Sequence, residues 1–163
     1  MKKLLILMFV AVIIPLTALG QTKQINEILD KYEKRKGVES IIISPSLLQI
    51  AGGTDVDAST KDLLSKITEM RIINVKSGAV ENGTPIRISL RKELDGLINT
   101  ETFKRIIILK DGDETLEMFI TNTAQGVLLF FTTNPNEFSV ISIFGNIDKA
   151  VVNAAMSGAI KVK

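Results

Sequence analysis

Residues 103–144 read FKRIIILKDGDETLEMFITNTAQGVLLFFTTNPNEFSVISIF, and this stretch decides the fold. Four apolar segments, Phe103–Lys110, Glu114–Thr121, Val127–Thr133 and Phe138–Phe144, are separated by turn residues at short intervals. Asp111-Gly112 marks a tight hairpin turn, because glycine supplies the positive φ that two-residue hairpin turns demand. Asn122–Gln125 before Gly126, and Asn134-Pro135-Asn136, mark two longer turns. Connections this short join neighbouring antiparallel strands, so a four-strand meander is expected. Every Phe beyond residue 20 (103, 119, 130, 131, 138 and 144) lies here, which marks the meander as the core.

The phase of these strands carries a second message. Val127, Leu129 and Phe131 point one way, and Leu128 and Phe130 the other. Val140 and Phe144 oppose Ile141 and Ile143 in the last strand. A sheet with one wet face alternates apolar and polar residues more cleanly. Either both faces are covered within the domain, or the outer face carries an apolar patch that a partner hides. Coverage from within is the simpler expectation.

Upstream, Gln24–Lys36 reads as a helix with Ile25, Ile28, Leu29 and Tyr32 on one face, and Lys34, Arg35 and Lys36 in its last turn before Gly37. Val38–Ser44 reads as a strand, followed by a short helix from Ser44-Pro45 to about Ala51, ended by Gly52-Gly53. Asp57 or Ser59 caps a helix that buries Leu63, Leu64 and Ile67, and Met70–Lys76 is a second strand. Ser77–Pro85 is a polar connection before a helix over Ile86–Ile98. Downstream, Gly145 ends the meander, and a helix over Ile147–Ile160 has Asp148 in its first turn, with Val151, Val152, Ala155 and Ile160 seeking a surface to cover.

The first twenty residues have the layout of a secretory signal. Lys2 and Lys3 precede an unbroken apolar run, Leu4–Ile14, then Pro15, and Ala18-Leu19-Gly20 places small residues where a signal peptidase reads them. Cleavage after Gly20 is expected, leaving Gln21–Lys163 as one domain. Leu4–Leu19 is shorter than the roughly 20 apolar residues of a spanning helix. Retention as an anchor is the alternative, and no stable membrane insertion is expected after cleavage. The chain has no cysteine, so a lipid anchor at the cleavage site is excluded.

The chain carries 20 basic and 18 acidic residues, and losing Lys2 and Lys3 brings the two signs into balance. No global attraction to nucleic acid or anionic lipid is left. Without His or Cys there is no Ser-His-Asp triad, no thiol nucleophile, no ordinary zinc site and no disulfide. Catalysis would rest on carboxylates, Lys, Tyr32, Ser or Thr. Asp55-Val56-Asp57-Ala58-Ser59 resembles the start of a calcium loop, but Thr60 occupies the glycine position and Lys66 the bidentate acid position. Gly52-Gly53 lacks the lysine motif of a phosphate loop. Arg87 and Arg91 share a helix face with Asp95 and read first as an ion-pair row, with anion binding as the alternative. No metal and no cofactor are expected.

Several segments together resemble a known family. These are the Ile28–Tyr32 helix segment, Gly37-Val38-Glu39-Ser40, Ile43-Ser44-Pro45-Ser46-Leu47-Leu48, Ile72-Ile73, Lys110-Asp111-Gly112, and Phe144-Gly145-Asn146-Ile147-Asp148. The chain resembles the secreted family called domain of unknown function 4252, found mainly in Bacteroidetes, over nearly all of the stretch after the leader. The resemblance implies a Gram-negative envelope location and supplies no catalytic residues. The chain departs from lipoprotein members of the family in lacking their cysteine.

These observations predict one α+β domain: an antiparallel-dominated sheet of about six strands, with helices mainly on one face. The two strands flanked by helices are allowed to run parallel to a neighbour. A periplasmic or secreted protein is expected, acting by non-catalytic binding to an envelope protein or to itself through an apolar sheet face. The alternatives are a periplasmic hydrolase using Asp55, Asp57, Asp111 or Asp113, or a domain tethered by an uncleaved N-terminal helix. Each of those carboxylate pairs already has a turn or cap explanation.

Overall fold

The computed structural model describes residues 16–44, 46, 47, 50, 57–98, 101–121, 123 and 125–161. Its elements in chain order are α1 (Leu16–Glu33), β1 (Val38–Ile43), α2 (Ala58–Lys66), β2 (Ile67–Lys76), β3 (Val80–Glu81), β4 (Thr84–Pro85), α3 (Ile86–Ile98), β5 (Phe103–Asp111), β6 (Glu114–Thr121), β7 (Gly126–Thr133), β8 (Glu137–Gly145) and α4 (Lys149–Lys161). The short helix expected up to Ala51 falls largely outside the described residues. Its cap is visible, with the Leu47 N–H donating to the Ser44 hydroxyl at 3.3 Å.

The meander forms as its turns predict. Asp111 pairs with Glu114 across Gly112-Asp113, and Gly112 sits at φ +57°, a conformation that costs glycine nothing. The six-stranded sheet has the order β1-β2-β8-β7-β6-β5, and every neighbouring pair is antiparallel. The expectation that a helix-flanked strand could run parallel is therefore corrected. Ile43 at the end of β1 lies opposite Met70 near the start of β2. The segment between β1 and β2 thus leaves and re-enters the sheet at the same end.

Both faces of the sheet are covered from within. On the first face, Ile73, Val75, Phe119, Val127, Leu129, Phe131, Val140 and Phe144 pack against Ile25, Leu29 and Tyr32 of α1 and Leu90 and Leu94 of α3. The Phe131 ring sits 5.5 Å from that of Phe119 and 5.7 Å from that of Phe138. On the second face, Met118, Leu128, Phe130 and Ile143 pack with Leu63 and Leu64 of α2 and Val151, Val152, Ala155 and Met156 of α4. The helices divide into a larger pair on the first face and a smaller pair on the second, because an antiparallel sheet that is apolar on both sides needs cover on both. All six Phe of the meander are buried.

Two bulges re-aim side chains. Ile67 and Met70, three apart, both pack in the second core because the β2–β8 register shifts between Ile67 and Glu69. A shift between Arg105 and Ile107 similarly turns β5 over, so Phe103 serves the first core and Ile107 the second. At the end of β8, Gly145 has φ +142°, and a Cβ there would overlap the Lys66 carbonyl. That close approach lets the Asn146 N–H donate to the Lys66 oxygen at 2.9 Å and locks the α2–β2 junction to the end of the meander.

Candidate functional site

Of the acids singled out for calcium or hydrolytic chemistry, Asp57 holds a helix. Asp57 is the N-cap of α2, its carboxylate accepting from the Thr60 N–H at 3.0 Å and the Thr60 hydroxyl at 2.8 Å. Hydrogen bonds from the Ser59 hydroxyl and then from Thr60 hold it far below the usual carboxylate range. Lys66 bridges Asp62 at 2.6 Å and Asp148 at 2.9 Å, tying α2 to the start of α4. Asp148 in turn accepts from the Ala150 and Val151 N–H groups as the cap of α4. Lys66, followed by the Val151 N–H, lowers its pKa. Asp111 and Asp113 flank Gly112 on the exposed β5–β6 turn, far along the chain from Asp57 and in a different element. Asp55 and Gly52-Gly53 lie outside the described residues. Among the described residues, no three acids converge to hold a metal ion.

Three charged clusters lie between the helices and the first face. Arg71, on β2, has a side chain only 4% exposed. Its Nη2 donates to Asp30 at 2.6 Å and Glu33 at 2.9 Å, and its Nη1 to the Asn26 side chain at 3.1 Å, which fixes α1 to the sheet. Its Nε has no hydrogen-bond acceptor, and the Glu69 carboxylate is 3.8 Å away. On the opposite side, Arg91 of α3 binds Asp95 at 2.8 Å and Glu117 of β6, with its guanidinium 4.9 Å above the Phe131 ring. Burial disfavours the Arg91 cation, but Glu117 and Asp95 outweigh it and raise its pKa. Arg91 thus spends its Nε on Asp95 and its Nη1 on Glu117, the ion-pair arrangement that its spacing from Asp95 suggests.

The third cluster joins α1 to α3. The Tyr32 hydroxyl and Lys31 Nζ both donate to Glu93 Oε1 at 2.7 Å. Arg35 stacks 4.0 Å from the Tyr32 ring centre and pairs with Glu81 at 2.8 Å. Burial, then the hydrogen bond to Glu93, push the Tyr32 phenol up to about 12. Burial works against ionisation of Glu93, but Lys31 and Tyr32 prevail and leave its carboxyl below the ordinary value. The basic run Lys34–Lys36 lies just beyond α1 rather than in its last turn.

The acids in these clusters all have cationic partners and the clusters all join two elements, which is the work of scaffolding. Two shallow depressions lie elsewhere. One is lined by Ile120, Ile147, Asp148, Lys149 and Val152, the other by Lys36, Gly37, Lys76 and Ala79. Neither brings together the two carboxylates that a glycosidase-type hydrolysis needs.

What the described surface offers instead is apolar strand edge. Ile41 and Ile42 of β1 are 53% and 49% exposed, and Leu47 and Ile50 follow them, also exposed. Ile106, Ile108 and Leu109 are exposed on β5 at the opposite edge. On the second face, an apolar row crosses all six strands in register, Ile41–Ile72–Ile141–Phe130–Met118–Ile107. Met118 and Phe130 are buried at its middle, and the row becomes exposed at Ile41. The two edges differ in protection. β5 carries a bulge and the cations Lys104, Arg105 and Lys110, devices that discourage strand addition. β1 pairs with β2 without a register break over Val38–Ile43 and has no cation of its own. Coverage of the meander from within, the simpler expectation, is what the two cores show, and the exposed large apolar side chains lie on the edge strands instead.

The family model described as Domain of unknown function (DUF4252) matches residues 32–155. No curated protein and no solved structure matches the chain.

Proposed function

We propose, for a chain that belongs to the domain of unknown function 4252 family, an exported, non-catalytic binding role in the cell envelope. The observation that carries this reading is the exposure of large apolar side chains on β1 and β5, the edge strands of the sheet among the described residues, while the buried charges are spent on internal ion pairs. A free edge offers main-chain donors and acceptors to an added strand, and the alternating side chains beside it select the partner.

Export is supported by Lys2-Lys3, the apolar run Leu4–Ile14 and Ala18-Leu19-Gly20. α1 runs through the Gly20–Gln21 bond, and Ile25, Leu29 and Tyr32, its residues in the first core, all lie beyond it. Cleavage therefore leaves the packed part of the helix intact. Among the described residues, no helix is long and apolar enough to cross a membrane. A mature chain starting at Gln21 acts in the periplasm or outside the cell.

The test uses a photo-crosslinking side chain at position 42 of the protein expressed in its native envelope. A specific envelope protein, or the chain itself, should be captured at that edge, and Ile41→Lys should abolish the capture. Recovery of only uncrosslinked chain would overturn the binding role. Intact mass on the same material should give Gln21–Lys163, and a species retaining Met1 would replace the cleaved reading with the tethered one.

A further inference from the structure

We infer that the occupant of the β1 edge is a second copy of this chain, its β1 pairing antiparallel about a two-fold axis beside Ile41 to make one continuous twelve-stranded sheet from two six-stranded ones. The inference rests on the binding reading above and names the partner. Three observations carry it.

The first is regularity. Val38–Ile43 pairs residue for residue with Val75–Met70, so its outer edge is a straight, unbulged template, unlike that of β5. The second is the apolar row. It ends at the half-exposed Ile41, and a two-fold there sets Ile41 against its own copy, so the row continues across the axis into the second sheet.

The third is the charge along the edge. The start of β1 adjoins Lys34, Lys36 and Lys76, with Lys76 bridged to Glu39 at 2.7 Å. The far end adjoins Asp30 and Glu69, which together with Glu33 beside Ser40 surround and outnumber the cation of Arg71. An antiparallel two-fold brings the basic end of each copy to the acidic end of the other. The same axis sets Glu39 opposite Ile43, so no like charges face one another across the new ladder. The contact is self-complementary and closes as a dimer. Pairing β1 with β5 would instead be head-to-tail and propagate into filaments, which the bulge and cations of β5 oppose.

The chain has no cysteine, so a single introduced thiol reports the geometry without background. Directly opposed residues have Cβ atoms about 4.5–5.5 Å apart, close to the disulfide range. In the exported protein, Ile41→Cys should form a disulfide-linked dimer under mild oxidation, and Leu109→Cys should not. Sedimentation of the unmutated protein should show a species of twice the chain mass at micromolar concentration. Ile41→Lys, which removes the Ile–Ile pair and sets two like charges face to face, should weaken it about 10–30-fold. Far-ultraviolet circular dichroism should show Ile41→Lys still folded, as expected for a residue already half in water. A monomer throughout the concentration series, or crosslinking at 109 in place of 41, would overturn the inference. If the chain is monomeric but position 42 captures a different envelope protein in cells, the second copy fails and the binding role stands. If it captures nothing, both fail.

Discussion

Tyr32→Phe isolates one hydrogen bond between α1 and α3, and its effect follows from the structure. The Tyr32 hydroxyl is buried and donates to Glu93 at 2.7 Å, with its pKa pushed up to about 12. An unfolded phenol ionises near 10. Between those values the unfolded chain has lost a proton that the folded chain retains. This contribution is therefore complete below about pH 10 and disappears as pH rises through 12. Two pKa steps correspond to about 2–3 kcal/mol. Burial accounts for the largest share of that shift and the Glu93 hydrogen bond for the next, and a hydrogen bond to a charged acceptor is by itself worth roughly 1.5–3 kcal/mol. Tyr32→Phe should thus lower stability by about 2 kcal/mol at neutral pH, with Lys31 still holding Glu93. The wild-type advantage should shrink to nothing by strongly alkaline pH. The chain has one Tyr and no Trp, so tyrosinate absorbance follows this phenol alone. Denaturant unfolding of both proteins across the alkaline range gives the difference curve, from which lysine titrations common to both cancel. A folded-state phenol titrating near 10, or equal stability of the two proteins at neutral pH, would refute the reasoning.

Phe131→Ala should cost about 3–5 kcal/mol, since it empties the centre of the first core. Phe130→Ala is expected to cost nearly as much, because its ring is buried in the second core, and a loss under about 0.5 kcal/mol in urea melts would show that face to be open. Gly145→Ala should destabilise by about 2–5 kcal/mol through overlap with the Lys66 carbonyl and a strained φ, and an unchanged melting temperature would contradict the close approach. Arg71→Met should cost about 1–3 kcal/mol, between the exposed and buried limits, because Asp30 and Glu33 keep access to water once unpaired; a larger loss would mean those acids are sealed in. Thermal melts with and without a chelator should overlay, and a large drop on chelation would reveal a metal site.

The meander was legible because its information is local. Gly112, the alternating apolar positions and the paired turn residues each act within a few residues of themselves, and so fix strand, turn and antiparallel sense together. The cap at Asp57 was equally readable, since a cap acts on the next three residues, whereas Asp148, expected in the first turn of α4, precedes that helix and caps it. The missing His and Cys bounded the chemistry in the same direct way. Tertiary structure decided the rest. Arg71 looks like any polar residue in a strand, and only the packing of α1 over β2, about forty residues distant in sequence, surrounds it with Asp30 and Glu33. The bulges near Ile67 and Arg105 turn side chains over by a register step that leaves no mark in composition. Strand order placed β1 rather than a meander strand at one edge, which leaves Ile41 and Ile42 exposed there. Sequence fixes the period and polarity of each element, whereas burial and pairing depend on which elements meet across the chain.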